Sequence, residues 1–405
     1  MADVSRPWFK EPWKFKESIV VSAATVLAGF IIQFAAGGHG IPQPHLPVNA
    51  IALAVFAAAV IGTGIALKSN PLVKWLGSIP LGLCLILAVA ILSLIGGVVP
   101  QDTAPAGSLA AGFGFNRIFS SWPFALTVLF FLLNLGLGLS WKLVPFKMQN
   151  LQFILFHAGF WIALGCGIFG STDLQRLVVP IDEGKASNVG LTMESEEPHQ
   201  LPFSIFLHDF SLEEYTPNVL LFDPATEEQT NFEARKGATA TWKGNNAELV
   251  DFLPSALPTE DGSLKPADPS AGVPFAKVRI TSDGHSEESW VGITNPARKP
   301  EPVKIGRLFV LLWPGNPKSF RSAVTVQDDK GHTVMANLEV NKPVDFNGWK
   351  LYQMGYDEKA GRQSKLSLIE VIHDPWLPAV YTGFFMIMAA NVLFFWNGIK
   401  RSKVS

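Results

Sequence analysis

Charge is nearly absent from six runs of this chain. They lie between Glu17 and His39, His45 and Lys68, Lys74 and Asp102, Arg117 and Lys142, Lys147 and Asp173, and Asp374 and Lys400. Each holds about 18 or more mainly apolar residues, enough at about 1.5 Å per residue to cross a hydrocarbon core roughly 30 Å thick. Six membrane spans are therefore expected. The first, Ile19 to Gly38, is long for a secretory leader, and no convincing small-residue cleavage site precedes the second apolar run, so it is expected to remain as a span. Spans two and three are joined by Lys68 to Trp75, which predicts a tight turn. Trp122 and Pro123 suit the interfacial start of span four.

Between spans five and six the pattern changes. Short apolar or alternating runs appear, bounded by Pro, Gly, Asn and Asp. They are Phe203 to Leu207, Val219 to Phe222, Ala238 to Trp242, Glu248 to Phe252, Ala276 to Ile280, Leu308 to Trp313, Ser322 to Gln327, Thr333 to Val340, Trp349 to Met354 and Lys365 to Ile372. Many short strands with turn signals predict a largely β domain, sandwich-like or irregular. Pro254 to Pro274 predicts a long surface loop. The fold class is thus a multi-pass α-helical membrane protein of six spans, with a large β-rich extracytoplasmic domain between spans five and six. Its parts are an interfacial tail (1–18), a five-span membrane domain (19–172), the β-rich domain (173–374), and the sixth span with a cytoplasmic tail (375–405).

Composition agrees with this division, since 48% of the 405 residues are hydrophobic and only 16% charged, a membrane-protein balance. Charge then orients the chain. With the N-terminus inside, the cytoplasmic segments carry Arg6, Lys10, Lys14, Lys16, Lys68, Lys74, Lys142, Lys147, Lys400, Arg401 and Lys403, against Arg117 alone in the short outer loops. That asymmetry places both termini in the cytoplasm and residues 173–374 outside, as in a plasma (bacterial inner) membrane protein. Trp8, Phe9, Trp13 and Phe15, interleaved with Lys10, Lys14 and Lys16, suit a tail lying on the inner face of the lipid bilayer. The outer segment holds 20 Lys and Arg against 30 Asp and Glu, a net −10, while the whole chain is −2. Such a domain favours basic partners and excludes nucleic acid.

Chemistry-bearing residues are few. The two cysteines, Cys84 and Cys166, fall in spans at different depths and read as small packing residues rather than a disulfide. No CxxC, CxxCH or zinc spacing occurs, nor any GxSxG, HExxH, Walker or dinucleotide motif. Glu194, Glu196 and Glu197, like Glu213 and Glu214, read as solvated acidic surface. His39 and His45 sit in the first outer loop, as ordinary loop residues or as outer-face ligands. His157 is the one histidine, acid or base inside a span, about 10 to 12 Å from the cytoplasmic end of its helix. A polar group at that depth faces a partner or a cavity. Two readings stay open: a bond across helices, to Asn134 or Ser22 for example, or an axial ligand to haem iron, with the second ligand from another chain.

Several runs, in one order over roughly residues 19–397, are shared in kind with a known family. They include Ser120-Ser-Trp-Pro-Phe124, His157-Ala-Gly159, Gly170-Ser-Thr-Asp173, Leu201-Pro-Phe203, Val340-Asn-Lys-Pro343, Gly348-Trp-Lys-Leu-Tyr-Gln353, Tyr356-Asp357 and His373-Asp-Pro375. By these the chain resembles the ResB/CcsB cytochrome c biogenesis proteins of system II. It departs at Met354-Gly355, where the family commonly carries two serines.

The resemblance implies an unfused form that lacks the CcsA/ResC half and works with a CcsA/ResC-like partner. Together they would handle or export haem and present it for covalent attachment to apocytochrome c. The chain would then be a non-autonomous subunit of a membrane haem lyase, with b-type haem bound transiently. Its family position makes His157 the candidate axial haem ligand and so the candidate metal ligand, and no catalytic residue is expected. The alternatives are a scaffold that binds apocytochrome without ligating haem, or an unrelated membrane-anchored sensor or transporter. Among the external His199, His208, His285, His332 and His373, nothing in the sequence prefers one as a ligand. The Gly348 to Asp357 and His373 to Pro375 runs fit a rigid strand-to-helix junction.

Overall fold

The structure is a computed structural model, which describes residues 13–42, 44–101, 108–193, 195–269, 271–293, 300 and 302–402, with side chains through residue 396. Residues 1–12 of the interfacial tail expected over 1–18, and Glu194, lie outside the described residues. The chain divides into two compact units, Met1–Leu174 with Asp374–Ser405, and Gln175–His373.

In the first unit six helices are long and apolar enough to cross a membrane. Spans one to six are Phe15–Ala35, Val48–Ala66, Ile79–Val98, Trp122–Leu143, Leu151–Phe169 and Leu377–Ser402. Pro123 stands in the first turn of span four, where its missing N–H costs nothing. The turn expected between spans two and three instead contains a short helix, Pro71–Leu76, because Asn70 Oδ1 accepts the N–H groups of Leu72 and Val73. Asn70 followed by Pro71 is an N-cap signal that a simple turn does not need.

Hydrophobicity cannot hold apolar helices together in lipid, so close contact and interhelical hydrogen bonds do. Trp141 Nε1 donates to the Gly64 carbonyl and Trp161 Nε1 to the Leu132 carbonyl, both at 3.0 Å. Spans five and six meet at Gly159 and Gly383. A Cβ on Gly383 would stand 2.5 Å from the Gly159 oxygen and 2.7 Å from the Ala163 nitrogen. Because both obstacles are backbone, Gly383→Leu is expected to cost about 1–3 kcal/mol by overpacking. Thermal unfolding followed by circular dichroism in detergent checks this. Gly62→Leu, where nothing lies within 4 Å of the added Cβ, is expected to leave the midpoint in place.

The second unit is antiparallel β throughout. In chain order its strands are β1 (Gln175–Asp182), β2 (Ala186–Thr192), β3 (Pro198–Glu214), β4 (Asn218–Asp223), β5 (Glu228–Glu233), β6 (Thr239–Trp242), β7 (Asn245–Pro258), β8 (Leu264–Pro266), β9 (Val273–Ser282), β10 (His285–Gly292), β11 (Val303–Ile305), β12 (Leu308–Trp313), β13 (Pro317–Asp328), β14 (Thr333–Glu339), β15 (Val344–Phe346), β16 (Trp349–Tyr356) and β17 (Leu366–His373). One eight-stranded sheet has the order β14-β13-β3-β2-β1-β17-β16-β15. Leu338 on one edge strand and Phe346 on the other share its buried core with Val179, Ile205, Val326 and Val371, so the sheet curls around one apolar interior. The remaining strands form two sheets, β10-β9-β7-β6 with β8 on β7, and β11-β12-β4-β5. These enclose a second core, where alternate residues such as Leu221, Leu249, Val278 and Val310 are fully buried.

The domain is therefore β-rich, as its alternation predicts. The loop expected over Pro254 to Pro274 is interrupted by strands: β7 continues to Pro258 and pairs with β8, Ala256 opposite Pro266, while 259–263 and the described residues of 267–272 are turns and irregular chain. A register shift between Leu253 and Ala256 accommodates Pro254 in a bulge, the place where a strand tolerates proline.

Candidate functional site

His157 is the seventh residue of span five and is half-buried. Its Nδ1 lies 2.9 Å from the Phe153 carbonyl oxygen, one turn back. A carbonyl can only accept, so Nδ1 carries the proton and donates, and the Nε2 lone pair is left for another partner. The ring is stacked on Phe153, centroids 3.7 Å apart, with the Phe156 ring edge-on at 5.6 Å. Neither expected cross-helix bond is made. Asn134 Nδ2 donates instead to the carbonyls of Leu76 at 2.6 Å and Ser78 at 3.0 Å, and the buried Ser22 hydroxyl has no hydrogen-bond partner.

The imidazole borders a cavity of about 420 Å³ among spans three, four and five, whose other walls include Phe131, Asn134, Gly138, Phe160 and Gly82. That volume lies within the range of about 300–1,000 Å³ typical of small-molecule sites. The donor set fits one axial position of a haem. A ligating histidine typically gives its second ring N–H to a carbonyl or carboxylate, fixing tautomer and ring plane, and Phe153 does this here. No second His, Cys or Met lines the cavity, and no group of three or more His, Cys, Asp or Glu suited to a metal occurs among the described residues. The two cysteines are free, as expected, and Cys166 packs with Leu53 and Trp376.

The other histidines are placed differently. His45 donates through Nδ1 to Asp173 Oδ1 at 3.2 Å. His332 Nδ1 donates to Asp328 at 2.9 Å, and His208 Nε2 lies 2.6 Å from the Thr325 hydroxyl. His373 Nδ1 donates to the Gly348 carbonyl at 3.0 Å while its ring stacks on Trp349 at 5.0 Å.

A second constellation surrounds Asp173, between span five and the first strand. Its Oδ1 accepts from His45 and from the Leu46 N–H at 3.1 Å, and its Oδ2 from Asn49 Nδ2 at 2.6 Å and Trp376 Nε1 at 2.7 Å. Only 8% of the side chain is exposed. Burial opposes ionisation, but the donors Asn49, Trp376, Leu46 and His45 outweigh it and bring the carboxyl down to about 2. Nearby, Gly170 touches the Trp376 ring where a Cβ would stand 2.3 Å from it. Asp374 Oδ1 accepts the N–H groups of Trp376 and Leu377 and so caps span six. Sequence reasoning assigned Asp173 no role; its signal was the run Gly170-Ser-Thr-Asp173 together with the Trp that follows His373-Asp-Pro375.

Both constellations lie outside the segment that a comparison with protein families picks out. The chain is ResB-like over residues 308–370. Comparison with curated proteins gave no match. The ResB-like segment runs from the start of β12 to Glu370 in β17 and contains Val340 to Pro343, Gly348 to Gln353 and Tyr356-Asp357. The match supports assignment to the ResB/CcsB family, which is involved in cytochrome c biogenesis.

Proposed function

We propose that this chain is a membrane subunit of cytochrome c biogenesis which, with a CcsA/ResC-like partner, handles haem and presents it for attachment to apocytochrome c. The ResB-like segment supports the pathway. The observation that carries the haem role is His157, held by Phe153 so that Nε2 faces away from its only hydrogen bond, beside a cavity among three spans.

When bound, haem supplies the porphyrin that ends up thioether-linked to the CxxCH thiols of apocytochrome c. This chain's residues bind and orient. His157 Nε2 would hold the iron, and Phe153 and Phe156 keep the imidazole plane fixed. Phe131 and Phe160 line the cavity beside it. With His157 the one histidine lining the cavity, any second ligand would come from the partner. The Lys and Arg distribution supports cytoplasmic termini and an external β domain, which puts His157 toward the cytoplasmic side and the apocytochrome outside. Deleting this chain is expected to abolish covalently bound c-type haem, read by in-gel haem staining of membrane fractions. Unchanged staining overturns the proposal.

A further inference from the structure

Strand β3 is covered unequally along its two edges. On one edge β13 pairs with it from Phe203 to Glu214. On the other, β2 pairs only between Pro198 and Phe206, after which Leu207 is still bonded to Gly184 and Lys185. A register shift opposite Ala323 and Val324 then changes the alternation by one residue, so Phe210 points its N–H to this second edge, where Glu183 Oε1 accepts it at 2.8 Å. Strand alternation puts the N–H and C=O of Leu212 and the N–H of Glu214 on the same edge. Tyr215, of opposite parity, donates the other way, to the Asn316 carbonyl at 2.9 Å. Among the described residues no strand pairs with β3 beyond Leu207 on that edge.

That edge borders a groove. A cavity of about 470 Å³ runs along Asp209 to Glu214 and is closed on its far side by Pro269, Asp268 and Arg362. A second, of about 370 Å³, continues from the shared Glu214 and Arg362 past Tyr356, Pro274 and Pro317. Because Glu183 already accepts the Phe210 N–H, the open stretch is Ser211 to Glu214, roughly 13 Å long. Along the groove stand the carboxylates of Asp209, Glu213, Glu214 and Asp268 with one lining cation, Arg362, which is paired to Glu214 at 2.5 Å. Lys318 approaches Glu213 at 3.5 Å, but both are more than half exposed, and such a pair is weak and exchangeable.

We infer that this groove binds an extended polypeptide segment carrying Lys or Arg side chains, which adds as a strand to the free edge of β3 at Leu212. Strand addition draws its affinity from main-chain hydrogen bonds and its selectivity from the flanking side chains. The mode is therefore tolerant of sequence but demands an unfolded segment, and the acidic walls select basic ones. Under the function proposed above, the natural occupant is apocytochrome before it folds around haem. The groove itself rests on register and charge and stands independently of haem at His157.

The test uses the full chain in zwitterionic phosphatidylcholine nanodiscs and a fluorescent twelve-residue peptide alternating Lys with Thr and Val, followed by anisotropy. Binding is expected, weakening as salt rises. N-methylating alternate peptide amides in one register is expected to weaken it about tenfold or more, and in the other register to leave it nearly unchanged. Leu212→Pro removes an N–H that β13 does not use and is expected to cost at least about tenfold. The double variant Asp209→Asn/Glu213→Gln is expected to reduce the salt dependence. Equal binding of both N-methylated peptides overturns the inference, and these act on the unmodified protein should Leu212→Pro misfold. So does a dimer in light scattering that Leu212→Pro dissociates while no peptide binds, since the edge would then belong to a second copy. Peptide binding that persists when haem retention fails would sink the His157 reading and leave the groove standing.

Discussion

Replacing His157 by Ala in the solubilised complex with the CcsA/ResC-like partner is expected to reduce co-purifying haem by more than about tenfold. Tenfold is the lower end of what is lost when even an outer-shell partner of a metal ligand is removed, and here the ligand itself goes. The readout is the Soret absorbance of the purified complex relative to protein. A His157→Gly variant is expected to recover part of that absorbance when free imidazole is added, because the truncated side chain leaves room beside Phe153 and Phe156. A purely packing histidine gives a different pattern: lower thermal stability, unchanged haem and no response to imidazole. Equal haem in wild type and His157→Ala would remove the ligand role and favour a scaffold. If, as proposed, the partner contributes the other ligand, the spectrum of any residual haem in His157→Ala is also expected to change from six-coordinate low-spin toward high-spin.

The spans were legible because lipid leaves so little choice. A backbone that crosses hydrocarbon satisfies itself as a helix, so uncharged runs of sufficient length announce themselves: each of the six helices coincides with one run named from sequence, and spans one, four and six extend one to two residues past a flanking charge. Alternation exposed the strands that bury one face, such as Leu308–Trp313. It missed β1, β2 and the three-residue β8, β11 and β15, and also β5 and β10, whose sequences EQTNFE and HSEESWVG are mostly polar because these are edge strands with little apolar face to bury. Near His157 the difficulty was competition for Asn134. Pro80, four residues after Leu76, has no N–H to give the Leu76 carbonyl, and Asn134 supplies it, leaving His157 to bond within its own helix. The free edge of β3 was illegible for a related reason. It depends on where β2 stops pairing and on a one-residue bulge, neither of which leaves a mark in composition.

Asp173 is the clearest case of a residue whose meaning is entirely tertiary, and it carries the largest stability effect expected of a single side chain here. Its donors come from residues 45, 46, 49 and 376, so the carboxylate ties the start of span two to both chain segments between which the β domain is inserted. Asp173→Ala strands the Trp376 indole, which loses its acceptor in a largely buried setting, and one N–H of the Asn49 amide, whose other N–H still donates to the Phe169 carbonyl at 2.8 Å. Each such orphaned group costs about 1–3 kcal/mol, and bonds to a charged acceptor lie at the upper end. A loss of roughly 2–4 kcal/mol follows, with Asp173→Asn intermediate because its amide can accept on one atom only. The same carboxylate sets an acid limit. Its folded value, about 2, lies below the ordinary 3.8, so its contribution is fully present above pH 4 and declines as the pH falls toward 2. Tryptophan fluorescence during acid titration in detergent is expected to show a transition in that window for the wild type and none there for Asp173→Asn. Coincident titration curves for the two proteins would mean that the carboxylate is not what holds Trp376.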